Sequence, residues 1–188
     1  QLYGTLISNS TIVIVGTGSL GGAAARLLEP LGAKIIGVNR RGGPVKGCSE
    51  TMTVEKLDEV LPYADILYLA LPATPETHEL IDRRRLNLLK TSCGIINVGR
   101  QSVIDYQTLS EMLKAGRIAG AILDVFTPEP IVPSSPLWEV PNLIITPHVS
   151  SDDPENYISL TLKLFLGNLE RLLSNKPLIN QVNREHGY

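Results

Sequence analysis

The sequence contains 188 residues, of which 17 are Lys or Arg and 19 are Asp or Glu, so its formal net charge is −2. Proteins that bind nucleic-acid backbones or anionic membrane surfaces carry a clustered excess of Lys and Arg, and neither is expected as a partner here. Hydrophobic residues make up 43% and charged residues 19% of the chain, which is typical of a globular protein and not of a disordered one.

The sequence shows neither a membrane span nor an export signal. No stretch reaches the roughly 18 consecutive apolar residues of a transmembrane helix, and the N-terminus lacks the regions of a signal peptide. The two cysteines, Cys48 and Cys93, are expected to be free thiols of a reducing compartment. We therefore expect a cytoplasmic protein. The histidines and cysteines lack metal-ligand spacing, so no metal site is expected.

Short apolar runs alternate with helix-like stretches along most of the chain. The runs are bounded by Gly, Pro, Asn or Asp and are apolar at successive positions, as expected of strands buried on both faces. This alternation predicts an α/β fold in which helices cover both faces of a doubly wound parallel sheet. The predicted strands are 11–15, 34–38, 66–69, 94–98, 118–123 and 143–146, and the predicted helices are 19–31, 54–61, 83–89 and 106–115.

The C-terminal segment has a different pattern. A capping carboxylate followed by Pro in the run Asp152-Asp153-Pro154 predicts the start of a helix, which ends near Asn175. We therefore divide the chain into a domain of residues 1–151 and a C-terminal helix and tail of residues 152–188. The predicted helix carries an apolar stripe made of Tyr157, Ile158, Leu162, Phe165, Leu166, Leu169 and Leu173.

A glycine motif, Gly16-Thr17-Gly18-Ser19-Leu20-Gly21, directly follows the first predicted strand and opens a helix. The first glycine permits a tight turn, the second lets the backbone approach a pyrophosphate, and the third allows close packing of helix and strand. The N–H groups of the helix N-terminus then face the phosphates. The motif predicts dinucleotide binding in a Rossmann-type fold, the alternative being a glycine-rich turn without a ligand.

The end of the second predicted strand indicates which dinucleotide is bound. An Asp or Glu about 20 residues past the glycines grips the ribose 2′-hydroxyl of NAD, but here the sequence reads Asn39-Arg40-Arg41. Guanidinium groups bind a 2′-phosphate, which a carboxylate would repel. The sequence therefore predicts NADP rather than NAD, with at least tenfold preference. The alternative is that both arginines are solvated loop charges.

Three polar sites follow later predicted strands, where side chains converge on a bound cofactor. Arg100 could neutralise an anionic substrate and polarise its carbonyl group. His148 is a plausible proton donor near neutral pH, unlike His78 and His186, whose segments offer no such setting. Glu129 could pair with His148 and favour its protonated form. Taken singly, each of the three could instead be a surface ion pair, a solvated turn or a structural histidine.

These motifs together resemble the D-isomer-specific 2-hydroxyacid dehydrogenase family, and the resemblance covers essentially the whole chain, including the ending at Gly187-Tyr188. The stretches that carry it are Val15 to Gly21, Leu71-Pro72-Ala73-Thr74-Pro75-Glu76-Thr77, Ile96-Asn97-Val98-Gly99-Arg100, Ala119 to Phe126 with Glu129-Pro130, and Thr146-Pro147-His148.

The resemblance implies a function and a set of roles. His148 would be the acid/base, Glu129 its partner, and Arg100 the group that binds a 2-oxo acid. The family's dimers form through this domain, so a homodimer is expected, and the arginine pair points to the NADP-using glyoxylate and hydroxypyruvate reductases. Further cofactor contacts implied by the resemblance are Pro72, Thr77, Val98, Gly99, Asp124, Ser150 and Ser151.

The sequence also departs from the family. Family members are nearly twice as long, and most of their substrate domain precedes the glycine motif, whereas only fifteen residues precede Gly16 here. Because the chain also begins with Gln1 rather than Met, we expect a piece of a longer polypeptide that alone turns over its substrate poorly. The alternative function is a catalytically inactive dinucleotide-binding module, similar to the corepressors that resemble this family.

Overall fold

The structure, a computed structural model, describes residues 5–183. Within these residues, seven strands form one parallel sheet in the order β3-β2-β1-β4-β5-β6-β7. The strands are β1 (Thr11–Val15), β2 (Lys34–Val38), β3 (Glu50–Met52), β4 (Ile66–Leu69), β5 (Gly94–Asn97), β6 (Gly120–Leu123) and β7 (Leu143–Ile145), and the helices are α1 (Ser19–Leu28), α2 (Leu57–Val60), α3 (Arg83–Leu86), α4 (Tyr106–Lys114) and α5 (Tyr157–Leu173).

The strand order confirms the predicted Rossmann-type fold. It runs outward in one direction from β1 and in the other from β4, which is the doubly wound arrangement. The register between the two inner strands pairs Ile12 with Ile66 and Val15 with Leu69. A crevice is expected outside the carboxyl ends of β1 and β4, where the order reverses.

The core lies on both faces of the sheet, as β1 shows most directly. Val13 and Val15 belong to the larger core cluster, while Ile12 and Ile14 belong to a smaller one. All four are at most 1% exposed, because successive side chains of a strand point to opposite faces. Burying each such side chain stabilises the fold by about 1.5–3 kcal/mol.

Several predicted helices are shorter in the structure because the backbone hydrogen bonding changes near their ends. α1 ends at Leu28, and a 3-10 turn continues through Leu31. Pro30 in that turn has no N–H to extend the α-helical ladder. α2 covers only Leu57–Val60 and is followed by a turn containing Pro62. After α3, Leu88 and Leu89 donate to carbonyls three residues back, which is a 3-10 pattern.

The strand predictions are closer to the structure, with one strand missed. β1, β2 and β4 have the predicted bounds, β5 and β7 each end one residue earlier, and β6 begins two residues later. The missed strand is β3, whose three residues pair with β2 at the edge of the sheet. Its sequence Glu50-Thr51-Met52 has no apolar run that would reveal a strand.

The chain divides into two compact units, one ending at His148 and the other beginning at Val149, whereas the domain boundary predicted from the sequence follows Ser151. In the second unit the predicted helix start at residues 152–154 is wrong, since α5 begins at Tyr157. The Asp153 side chain accepts a hydrogen bond from the Asn156 backbone N–H at 3.1 Å and so forms a turn before the helix. The predicted similarity at Gly187-Tyr188 lies outside the described residues.

Residues 5–183 contain no helix that is long and apolar enough to cross a membrane. The same part of the chain has no cluster of three or more His, Cys, Asp or Glu side chains suited to a metal ion. Both cysteines are free thiols, and burial raises the pKa of Cys93 to about 12.

Asp65 joins three segments at the amino edge of the sheet, opposite the glycine motif. One carboxylate oxygen accepts a hydrogen bond from the Thr11 N–H at 2.8 Å, and the other accepts from Lys90 Nζ at 2.5 Å. Both hydrogen bonds lower the pKa of Asp65, and the one from Lys90 has the larger effect. Asp65 therefore stabilises the starts of β1 and β4.

We expect Asp65→Ala to lower the free energy of unfolding by about 1–2 kcal/mol at pH 7, mainly through the lost hydrogen bond to Thr11. A carboxylate with a lowered pKa in the folded state stabilises the protein above its unfolded pKa of about 3.9, and this contribution is lost as the pH falls through the folded value. The difference between variant and parent should thus shrink below about pH 4. Urea denaturation at several pH values measures the free energy of unfolding of variant and parent, and Glu59→Ala on α2 is the control. A difference in free energy that does not change with pH would contradict the expectation.

Candidate active site

The glycine motif forms a tight turn between β1 and α1. Gly16 has a φ of +92°, and a side chain there would also meet the Ala70 carbonyl oxygen at 2.6 Å. A Cβ on Gly21 would lie only 2.0 Å from the Gly16 carbonyl oxygen. Glycine is therefore required at both positions, by the turn and by the close packing of α1 against β1.

The middle glycine is different, because a Cβ on Gly18 would meet nothing within 4 Å. Gly18, Ser19 and Leu20 are exposed and stand at the N-terminus of α1. The first N–H groups of a helix lack partners within the helix and carry a partial positive charge. The open space beside Gly18 therefore fits the pyrophosphate of a dinucleotide.

Asn39 connects the glycine turn to the loop that carries the two arginines. Its amide nitrogen donates to Thr17 Oγ1 at 2.9 Å and to the Gly43 carbonyl oxygen at 3.4 Å. Its amide oxygen accepts from the N–H groups of Arg41 at 3.0 Å and Gly42 at 2.8 Å. These four contacts use the hydrogen-bonding capacity of the amide, so Asn39 shapes the loop, and exposed Arg40 and Arg41 are presented on it.

The loops after β4 and β5 lie against each other beside the glycine turn. A Cβ on Gly99 would approach the Leu71 carbonyl oxygen at 2.5 Å, so the two backbones are in close contact. Thr77 donates to the Pro72 carbonyl oxygen at 2.6 Å and accepts from the Thr74 N–H at 2.9 Å. The Thr77 hydroxyl thus stabilises the turn that follows β4.

Asn97 holds the loop that carries Arg100. This residue is 0% exposed, and its side-chain oxygen accepts from the Gly99 N–H at 3.0 Å while its nitrogen donates to the Arg100 carbonyl oxygen at 3.1 Å. A polar side chain buried at the end of a strand requires such partners. The predicted cofactor contacts Val98 and Gly99 are buried within this loop, whereas Arg100 is exposed.

Asp124 follows β6 and is 1% exposed. One carboxylate oxygen accepts a hydrogen bond from Thr146 Oγ1 at 2.5 Å, which joins the end of β6 to the segment before His148. Burial raises the pKa of Tyr68 on β4, and the negative charge of Asp124 adds to this effect. The carboxylate is therefore ordered at the carboxyl edge of the sheet.

Glu129 and His148 form the predicted pair. Glu129 Oε2 lies 2.8 Å from His148 Nδ1, and Glu129 Oε1 accepts from the Phe126 N–H at 2.7 Å. The hydrogen bond with His148 is the main cause of a lowered pKa of Glu129, and the charge of Arg100 contributes. His148 also has a φ of +57°, a backbone conformation that is uncommon outside glycine and is concentrated at functional sites.

The structure thus gathers most of the predicted residues of the first unit at the carboxyl edge of the sheet. Ser150 and Ser151 belong to the second unit, and their predicted role as cofactor contacts stays a prediction. Sequence reasoning missed the loop-holding roles of Thr17, Asn97 and Thr146. One sequence feature could have indicated such a role: a polar residue at the end of an apolar strand, as at Asn97.

A cavity of about 480 Å³ lies between α4 and the segment 126–137, and its lining includes Tyr106, Phe126 and Leu137 but none of the motif glycines. This cavity is therefore separate from the dinucleotide site suggested by Gly18.

Comparisons with known proteins agree with this arrangement. Residues 1–150 match the family described as D-isomer specific 2-hydroxyacid dehydrogenase, NAD binding domain. The chain is 37% identical to a glyoxylate reductase from Thermofilum pendens, over 80% of this chain and 44% of that protein. The chain spans about half the length of the curated relatives it matches.

Two solved structures are similar over 100% of the chain. One is a D-isomer specific 2-hydroxyacid dehydrogenase from Xanthobacter autotrophicus in complex with NADPH and MES, with a TM-score of 0.91, 33% identity and 76% of that chain covered. The other is an NADPH-dependent glyoxylate/hydroxypyruvate reductase from Sinorhizobium meliloti in complex with NADP and sulfate, with a TM-score of 0.91, 32% identity and 60% of that chain covered. The resemblance seen in the sequence is confirmed, and this chain belongs to the D-isomer specific 2-hydroxyacid dehydrogenase family, with its NAD binding domain in residues 1–150.

Proposed function

We propose that the complete protein is an NADP-preferring oxidoreductase that interconverts a small 2-oxo acid and its 2-hydroxy acid, of the glyoxylate or hydroxypyruvate class. The observation that carries the proposal is the Glu129–His148 pair, at 2.8 Å, on the same sheet edge as the glycine turn. Two of the proteins named above are a glyoxylate reductase and a glyoxylate/hydroxypyruvate reductase. An inactive binding module has no need of such a pair.

The residues of the first unit fit a dinucleotide. Gly18 leaves open space at the N-terminus of α1 for a pyrophosphate. The loop shaped by Asn39 presents two positive charges and no carboxylate at the position expected for the ribose, which supports NADP over NAD. When bound, NADPH supplies the hydride for the carbonyl carbon of the substrate.

His148 is the proposed proton donor to the carbonyl oxygen. Its Nδ1 atom is held by the Glu129 carboxylate, so Nδ1 carries a hydrogen and Nε2 is the atom that exchanges a proton with the substrate. The lowered pKa of Glu129 keeps the carboxylate ionised, so it can accept the Nδ1 hydrogen of His148.

Arg100 is the proposed binding group for the 2-oxo acid. Its guanidinium carries a permanent charge and donors in a fork geometry that matches a carboxylate. The charge of Arg100 influences the pKa of Glu129, which supports a location close to the proton donor. We also propose a homodimer in the cytoplasm, which agrees with the two free thiols.

The role of Gly18 leads to a prediction about cofactor binding. We expect Gly18→Ala to weaken NADPH binding at least tenfold, or about 1.4 kcal/mol, because the new methyl group would occupy the space of the pyrophosphate. The melting temperature should change little, since a Cβ at Gly18 meets no protein atom within 4 Å.

Gly94→Ala is the matched control, because a Cβ there also meets nothing within 4 Å and β5 begins at this residue, on the opposite edge of the sheet. Fluorescence titration with NADPH measures the affinities. Equal binding by the two variants would contradict a dinucleotide site at Gly18.

The arginine loop leads to a second prediction. The protein should bind NADPH at least tenfold more tightly than NADH, and replacing both Arg40 and Arg41 with Ala should remove this preference by weakening only NADPH. A double variant with Lys114→Ala and Arg117→Ala, which loses the same amount of charge around the end of α4, should keep the preference. Equal affinities in the unchanged protein would rule out this basis for selectivity.

Proton delivery leads to a third prediction. The kcat/KM for 2-oxo acid reduction should fall as the pH rises and His148 loses its proton. Glu129→Gln should reduce kcat/KM most above the lowered pKa of Glu129, where the parent carboxylate is ionised and holds Nδ1, and least below it. Arg100→Ala should instead reduce kcat/KM at every pH, because the guanidinium does not titrate in this range.

The pH profiles of the full-length gene product and of His148→Gln, Glu129→Gln and Arg100→Ala are the measurement. Glu139→Gln, in the exposed turn before β7, is the matched control and should leave the profile unchanged. A Glu129→Gln profile that overlays that of the parent would show that the carboxylate does not influence the histidine.

A further inference from the structure

Tyr106 places a phenol hydroxyl between the two loops that carry the candidate catalytic side chains. The residue begins α4 and is 7% exposed. Its hydroxyl donates to the Val125 carbonyl oxygen at 2.8 Å and accepts from Asn97 Nδ2 at 3.2 Å. One hydroxyl group therefore links the end of β5 to the segment after β6.

On the β5 side, the hydroxyl binds the side chain that shapes the Arg100 loop. Asn97 also donates to the Arg100 carbonyl oxygen at 3.1 Å and accepts from the Gly99 N–H at 3.0 Å. The Asn97 amide can keep all three contacts only in one orientation, because its nitrogen must face two acceptors and its oxygen the Gly99 N–H. The Tyr106 hydroxyl is one of the groups that fix this orientation.

On the β6 side, the hydroxyl donates to the carbonyl oxygen of Val125. Val125 is followed by Phe126, whose N–H donates to Glu129 Oε1 at 2.7 Å. The aromatic rings of Tyr106 and Phe126 meet edge to face, with centroids 6.2 Å apart and an interplanar angle of 77°. The hydroxyl of Tyr106 thus contacts a backbone group, and its ring contacts a side chain, of the segment that orients the Glu129–His148 pair.

We propose that Tyr106 is a positioning residue for the reaction, whose hydroxyl holds the Arg100 loop and the Glu129–His148 pair in their relative positions. The inference rests on the proposed function and deepens it. It assigns a specific role to a side chain on α4.

The ionisation state of Tyr106 is consistent with this role. Burial is the main cause of a raised pKa of its phenol, and the charges of Glu129 and Asp124 act in the same direction. The hydroxyl therefore keeps its proton near neutral pH and can donate it to the Val125 carbonyl oxygen. The hydrogen bond from Asn97 opposes the shift without reversing it.

The test is Tyr106→Phe in the full-length gene product. This change keeps the ring and its contact with Phe126 but removes both hydrogen bonds of the hydroxyl. We expect kcat/KM for 2-oxo acid reduction to fall about tenfold, mainly through kcat, a change on the scale of a lost hydrogen bond within a network.

A second readout separates positioning from simple packing and does not depend on turnover. A looser Glu129 would make weaker hydrogen bonds with His148 and the Phe126 N–H, the two main causes of its lowered pKa. We therefore expect the NMR titration midpoint of the Glu129 carboxyl group in the cofactor-free protein to move to higher pH in Tyr106→Phe. In a Glu129→Gln background, the same substitution should lower kcat/KM less than it does in the parent, because the two changes act through one network.

Thr108→Val is the matched control, since Thr108 is 1% exposed on the same helix and loses one buried hydroxyl hydrogen bond, to Asp105. This variant should lower the melting temperature but leave the pH profile and the Glu129 titration unchanged. The inference is overturned if Tyr106→Phe behaves like Thr108→Val. Failure of the unchanged protein to reduce any 2-oxo acid would instead overturn the proposed function, and the Glu129 titration would still test the role of Tyr106.

Discussion

The burial of β1 on both faces is the constraint on which the rest of the molecule depends. Its apolar side chains alternate between two core clusters, so helices must cover both sides of the sheet. β1 also lies between β2 and β4, where the direction of strand order reverses. The connections leaving β1 and β4 then diverge to opposite sides, and the carboxyl edge between them stays open. A ligand site at this edge follows from the winding of the chain, whatever the loops contain.

The loops give that open edge its chemistry, and polar groups buried at the strand ends hold the loops. Asn97 and Asp124 are at most 1% exposed, so each would destabilise the fold without partners. Their hydrogen bonds to loop groups, such as the Arg100 carbonyl oxygen and Thr146 Oγ1, remove this penalty. The same bonds restrict where Arg100 and His148 can lie. The hydrogen bonds that stabilise these buried polar groups are thus the same ones that position the side chains of the site.

The parts that follow from local sequence could be predicted, and the parts that depend on tertiary contacts could not. The strands β1 and β2 have the predicted bounds because a run of buried apolar residues ended by a turn leaves little freedom. The glycine turn follows from three residues at fixed spacing. By contrast, β3 is an edge strand with a polar sequence, and only its pairing with β2 makes it a strand. α5 begins at Tyr157, after a turn in which the Asp153 side chain accepts a hydrogen bond from the Asn156 N–H, and no local pattern shows how long that turn is.

The candidate site shows the same division. Glu129 and His148 could be paired from the sequence because both follow strands whose carboxyl ends meet at one edge of a parallel sheet. The contact between Tyr106 and Asn97 could not be predicted from the sequence. The position of a tyrosine at the start of an amphipathic helix indicates only that its ring is buried. No periodicity indicates which carbonyl its hydroxyl will reach.

Asn39 shows how one residue can determine both the shape and the charge of a loop. A carboxylate at this position could accept the N–H groups of Arg41 and Gly42, as the Asn39 oxygen does. It could not donate to the Gly43 carbonyl oxygen, and its negative charge would lie next to the proposed site of a 2′-phosphate. The amide keeps the turn and brings no negative charge of its own to the loop. The proposed selectivity for a phosphorylated ribose then depends as much on the neutral side chain that shapes the loop as on the two guanidinium groups.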